Sequence, residues 1–235
     1  VDAGIDYVVS TGGEAGAFTC DSAAGMQRFV ARYDSARLVG IDFDIERQQT
    51  PAQIAALARR AAELQASRPQ LRLSFTLATH GSADGSRRSL NALGERVLAS
   101  LREHGVDRAI INLMVMNYGP ADARWCVLQP GGTACDMGES ALQAARNVHE
   151  KYGVPYERIA LTAMLGENDV AGNVFTSADA ERLKQGAQAL KLAAVHWWSL
   201  DRDQPCAAGS PRVSPLCHGL PGVAAGRFGS TLGGR

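Results

Sequence analysis

Surplus positive charge is missing from this 235-residue chain, in which 24 lysines and arginines are matched by 24 aspartates and glutamates. A polyanion finds no basic field here, which sets nucleic acid aside as a partner. No apolar run approaches the ~18 residues of a membrane-spanning helix, so no membrane partner is expected. No Gly-x-Gly-x-x-Gly follows a strand-like segment, which argues against a doubly wound, nucleotide-binding α/β protein. The five histidines, His80, His104, His149, His196 and His218, are scattered without metal-ligand spacing, and neither a metal nor a cofactor is expected. The chain starts at Val1, without an initiating methionine or a signal sequence, as a processed secreted protein or an excised piece would. With 46% hydrophobic and 20% charged residues the composition is that of an ordinary globular protein, and one α/β domain suffices.

Cysteine is sparse but placed. Cys126 and Cys135 flank a Pro-Gly-Gly turn, and Cys206 and Cys217 flank a Gly/Pro/Ser loop. Both pairs close short loops, as small disulfides do in an oxidising compartment, so a secreted or periplasmic protein is expected. Cys20 is left over, free or paired outside this chain. Five reduced thiols in a cytosolic protein is the alternative.

The richest segment is Gly40-Ile41-Asp42-Phe43-Asp44-Ile45-Glu46. Side chains alternate along a strand, so Asp42, Asp44 and Glu46 share one face while Ile41, Phe43 and Ile45 pack on the other. Close carboxylates cannot all stay ionised cheaply, and a raised carboxyl pKa serves acid–base chemistry. A solvent-facing edge strand is the bland alternative, but edges usually mix their charges and favour lysine. Helical segments lie on both sides, Asp21 to Tyr33 and Thr50 to Ser67, the second with Thr50 as N-cap and Pro51 at its first position. Strands separated by helices indicate parallel βα units, whose active residues sit at the C-terminal strand ends.

The βα rhythm repeats along the chain. Strands are expected over Ile5–Ser10, Leu38–Glu46, Leu71–Thr79, Arg108–Asn117, Arg158–Leu165 and Ala193–Leu200. Further helices are expected over Ser89–His104, Glu139–Tyr152 and Ser177–Lys191, the last capped by Thr176 or Ser177. Beyond Cys206 the composition turns to Gly, Pro and Ser, and Gly222 to Arg235 reads as a mobile tail or linker. The expected division is a catalytic domain over 1–205 and a loop and tail over 206–235.

Four motifs in order give the sequence a family likeness. They are Ser10-Thr11-Gly12-Gly13, the acidic run Asp42-x-Asp44-x-Glu46, Met116-Asn117-Tyr118, and Trp198 in Trp197-Trp198-Ser199-Leu200-Asp201-Arg202-Asp203. In these the chain, over Ile5 to Asp203, resembles glycoside hydrolase family 18, the chitinase-like family. The resemblance implies a (β/α)₈ TIM barrel of which this chain carries the third to eighth strands, the first two βα units lying upstream. It departs from the family pattern at Val39, where the first acid of the motif is expected, and at Gly119, where many relatives have an acid. Asn117 is the candidate to take over part of that second role.

The resemblance also implies the chemistry. Glu46 would be the general acid and later base; Asp44 would orient the acetamido N–H, and its anion would raise the pKa of Glu46. Asp42 would share a proton with Asp44, and Tyr118 would donate to the acetamido oxygen, which attacks in place of a second protein carboxylate. Trp198 would form a hydrophobic floor under the sugar, with Trp197 facing the other way. Met116 and Asn117 fall on the substrate side, although Met116, like Met114, also reads as barrel core. Ser10, Gly12 and Gly13 would allow close backbone packing beneath the acids. The implied substrate is chitin or another N-acetylglucosamine-containing glycan, cut at β-1,4 links by a monomeric, secreted glycosidase. An endo-β-N-acetylglucosaminidase and a non-catalytic sugar-binding protein on the same scaffold are the alternatives.

Overall fold

A computed structural model describes residues 4–46 and 49–233. Among the described residues the elements run β1 (Tyr7–Gly12), α1 (Ala23–Tyr33), β2 (Leu38–Ile45), α2 (Pro51–Ser67), β3 (Arg72–Ala78), α3 (Ala92–Glu103), β4 (Ile110–Met114) and α4 (Met137–Tyr152). They continue with β5 (Ile159–Met164), β6 (Gly166–Glu167), β7 (Val174–Phe175), α5 (Ser177–Leu190), β8 (Ala194–Trp198) and α6 (Arg227–Gly233). The six expected strands and five expected helices are all present. The short hairpin β6–β7 and the helix α6 are additional.

Two compact units share the chain, Val1–Ala78 with Leu90–Asn112 and Thr79–Ser89 with Leu113–Arg235. In the first, β1 pairs parallel with β2 and β2 parallel with β3, in chain order. Ile41, Phe43 and Ile45 of β2 and Leu73, Phe75 and Leu77 of β3 are buried, with the rings of Phe43 and Phe75 5.0 Å apart. This face excludes water and leaves the alternate positions for polar groups. The helix after the acidic strand starts as its sequence dictates. Thr50 accepts from the Gln53 N–H, the Gln53 side chain returns the bond to the Thr50 N–H, and Pro51 occupies the first turn.

In the second unit β5 pairs parallel with β8, and the Val115 N–H just beyond β4 donates to the Thr162 carbonyl of β5. Thr176 caps α5 in a capping box with Asp179. Disulfides join Cys126 to Cys135 and Cys206 to Cys217, and Cys20 of the first unit is free and buried. The expected mobile tail is not what residues 227–233 form. They make α6, which buries Phe228 6.1 Å from the ring of Phe175, a burial of about 1.5–3 kcal/mol. Asp203 starts that helix, accepting from the Phe228 and Gly229 N–H groups at 3.0 and 2.6 Å. Residues 234 and 235 of the expected tail lie outside the described residues. No helix among them is long and apolar enough to cross a membrane.

Candidate active site

Register places the acids of β2 against specific neighbours. Ser10 of β1 and Ser74 of β3 lie opposite Asp42, and Gly12 and Thr76 lie opposite Asp44. Asp42 is buried and saturated. Ser74 Oγ donates to Oδ1 at 2.6 Å, Ser10 Oγ donates to Oδ2 at 2.8 Å, and Thr76 Oγ1 bridges both oxygens at 2.9 Å. Asn112 Nδ2 donates to Thr76 Oγ1 at 2.8 Å, which leaves the hydroxyl proton of Thr76 for Asp42.

Asp44, two residues nearer the end of the strand, is treated differently. Its Oδ1 is buried without a hydrogen-bond partner among the described residues, and its carboxyl hydrogen-bonds that of Glu46. Burial, then the charge of Glu46 and then that of Asp42, push its pKa up to about 7. Near neutral pH Asp44 therefore holds a proton that it can donate to Glu46, which stands exposed just past the strand. The sequence-based expectation paired Asp42 with Asp44. Among the described residues the hydrogen-bonded acids are Asp44 and Glu46, because three hydroxyls already occupy Asp42.

Gly12 and Gly13 explain how a chain passes so close to these acids. A Cβ on Gly12 would lie 2.2 Å from the Asp44 carbonyl oxygen, and φ there is +87°. The Gly13 N–H donates to that same oxygen at 3.1 Å, and a Cβ on Gly13 would face Asp44 Oδ2 at 3.5 Å and Glu46 Oε1 at 3.7 Å. Bare backbone is what this approach admits.

The other expected residues belong to the second unit. Met116 is half-buried after β4. Asn117 adopts a left-handed conformation (φ +51°) with both ends of its amide engaged. Nδ2 donates to Asp169 Oδ2 at 2.9 Å, and Oδ1 accepts from the Val170 N–H at 3.1 Å. Asn117 thus organises the 168–170 loop rather than standing open. Tyr118 is only 2% exposed. Its N–H is held by Asn173 Oδ1 at 2.9 Å, while its hydroxyl has no partner among the described residues. Burial, with a smaller contribution from Asp179, raises its pKa well above the ordinary phenol value. Trp198 is 42% exposed at the end of β8, whereas Trp197 turns toward α6, 3.5 Å from the position of a Cβ on Gly233. The opposite facing of the two indoles matches the expectation for neighbours on a strand. Arg202, not anticipated as a site residue, lies with its guanidinium carbon 5.2 Å from the centroid of the Trp198 ring.

No family model matches the chain. It is 29% identical over 234 residues to the "Probable bifunctional chitinase/lysozyme" of Escherichia coli (strain K12), covering 93% of this chain and 25% of that protein. It is 28% identical over 221 residues to Endochitinase 11 of Metarhizium anisopliae, covering 88% and 41%. Among solved structures it resembles active domain 2 of the chitinase from Pyrococcus furiosus, at a TM-score of 0.73 and 25% identity over 96% of this chain and 71% of that one. The chain therefore spans a quarter to two-fifths of the curated relatives it matches. The α/β barrel class expected from the sequence is the class of these domains. With its ordered motifs and these chitinase relatives, the chain is similar to the chitinase-like domains of glycoside hydrolase family 18.

Proposed function

We propose that this domain hydrolyses β-1,4 links next to N-acetylglucosamine in chitin or chito-oligosaccharides, with retention and with the substrate's own acetamido group as nucleophile. The observation that carries the reading is the hydrogen-bonded pair Asp44–Glu46, with Asp44 poised near neutrality. Such a pair can pass its proton one way or the other at little cost. With the shared proton on Glu46, that residue protonates the leaving oxygen. Asp44, then anionic, accepts the acetamido N–H and turns the acetamido oxygen toward the anomeric carbon. That oxygen forms the new bond as the glycosidic bond breaks, giving an oxazolinium ion. Glu46, now a carboxylate, takes a proton from the water that opens the ring.

Asp42, locked by three hydroxyls, supplies fixed negative charge behind the pair. The reading gives the acetamido oxygen to the Tyr118 hydroxyl, a buried donor for which the described residues provide no acceptor. Trp198 is assigned the apolar face of the sugar. The two disulfides support work outside the cell, where such bonds persist. The test is to follow the cleavage of tetra-N-acetylchitotetraose by proton NMR. The first-formed product should carry the β-anomer, and the de-N-acetylated tetramer should not be cut. An α-anomer, or equal cleavage of both substrates, would sink the substrate-assisted mechanism.

A further inference from the structure

Arg202 is the largest wholly buried side chain among the described residues, and its hydrogen bonds there go to main-chain carbonyls alone. Nε and Nη2 donate to Leu165 O at 3.1 and 2.7 Å, Nη2 also donates to Glu167 O at 2.5 Å, and Nη1 donates to Ser214 O. No carboxylate among the described residues forms an ion pair with it. Asp169 acts on its charge from beyond ion-pair distance, but withdrawing a guanidinium from water without a paired carboxylate is costly, and an apolar side chain of similar length would fill this space at lower cost. A cation in such a place calls for a neighbour on which its charge acts.

Besides Asp169, the neighbour in direct contact is Trp198. The guanidinium sits against the indole at cation–π distance. Leu165 brackets the two groups, its N–H donating to the Trp198 carbonyl at 3.0 Å while its own carbonyl takes two bonds from Arg202. The backbone of Trp198 and the cation beneath its ring are thus referred to one residue at the end of β5. An exposed indole on a strand end would otherwise be free to turn about χ1 and χ2.

We propose that Arg202 is a positioning residue for Trp198, holding the indole from its inner side so that the outer face is offered to a sugar ring. The identity of the ligand rests on the function proposed above; the immobilisation of the ring does not. The test uses the full chain, with the indole N–H signals of Trp125, Trp197 and Trp198 assigned by single Trp→Phe changes. Arg202→Gln keeps hydrogen-bond donors and removes the charge, while Arg202→Lys keeps the charge.

In Arg202→Gln the Trp198 signal is expected to shift and broaden while those of Trp125 and Trp197 stay in place. The KM for tri-N-acetylchitotriose should rise about tenfold with kcat within about twofold. Arg202→Lys should recover most of both. An unmoved Trp198 signal in Arg202→Gln, or a lysine variant no better than the glutamine one, overturns the proposal. Should the glutamine variant not fold, ¹⁵N relaxation of the wild-type indoles decides. Trp198 is expected to be as rigid as the packed Trp197, and rapid reorientation of its ring would refute the assignment. A wild-type chain that neither binds nor cuts the trisaccharide would overturn the chitin reading alone, since the indole signals still report on Arg202.

Discussion

At Arg202 the guanidinium makes four hydrogen bonds to three carbonyls and no part of the side chain reaches solvent. At Asp44 one carboxyl oxygen is buried with no partner among the described residues, and burial, then the charges of Glu46 and Asp42, push its proton affinity up. Both groups leave water on folding, yet one is fully provided for and the other is kept short. The difference separates fixed charge from reactive charge. A group with all its partners cannot easily change its protonation or its bonds, whereas an under-supplied one gains by meeting a proton or a substrate. Asp42, two residues from Asp44 on the same face, falls with Arg202 in this division.

The contrast breaks most sharply at Glu46. Glu46→Gln removes the proposed acid and should lower kcat by about 10²–10⁴-fold with sugar binding retained. Steady-state turnover of a chromogenic chito-oligosaccharide measures it, and unchanged turnover removes Glu46 from the role. Gly12→Ala tests the backbone side of the same region. Its left-handed φ and the 2.2 Å approach to the Asp44 carbonyl should cost about 3 kcal/mol in urea unfolding, with loss of the Asp44–Glu46 geometry.

Asp44→Asn sharpens the comparison through pH. Folding raises this carboxyl from 3.8 to about 7, so between those values the folded chain keeps a proton that the unfolded chain has released. The group is therefore without penalty at low pH and costs stability as pH rises toward 7. Asp44→Asn should exceed the wild type by about 1–2 kcal/mol at pH 8, after allowance for partial solvent screening, with the gap closing near pH 4. A gap independent of pH would contradict the raised carboxyl. The smallest effect is expected at Tyr118. Tyr118→Phe removes a buried hydroxyl without a partner among the described residues and should stabilise the free chain by up to about 1 kcal/mol while lowering kcat, and calorimetry beside kinetics would show both.

Much of this was legible before any coordinates. Period-two alternation in Ile41 to Glu46 identified both the strand and its acidic face, and the capping box at Thr50 located the following helix. The short loops between Cys126 and Cys135 and between Cys206 and Cys217 pointed to the right disulfides. Asp42's partners were within reach as well. Ser74 and Thr76 alternate with Leu73, Phe75 and Leu77, a polar period of two inside an otherwise apolar strand, but only register shows that they face Asp42. Asn117 misled because a sequence does not show that its amide is spent on Asp169 and Val170. β4 is also shorter than expected, ending at Met114, with the backbone turning left-handed at Asn117. The burial of Arg202 was not legible, because the carbonyls that receive it come from Leu165 and Glu167, distant in sequence, and from Ser214 inside the Cys206–Cys217 loop. The glycines of the C-terminal segment suggest a mobile tail, whereas two buried apolar residues, Phe228 and Leu232, and the bonds to Asp203 anchor a short helix.

The Cys206–Cys217 loop has a bearing on how the molecule is made. It contains Ser214, whose carbonyl is one of the three that receive Arg202, and its closure restricts the unfolded chain by about 3 kcal/mol. A chain produced in a reducing cytosol would begin life with that loop open and one supporting carbonyl untethered. The choice of expression compartment thus becomes a choice about the indole at the end of β8. Preparations from the cytosol and from the periplasm are expected to differ in sugar affinity before they differ in secondary structure.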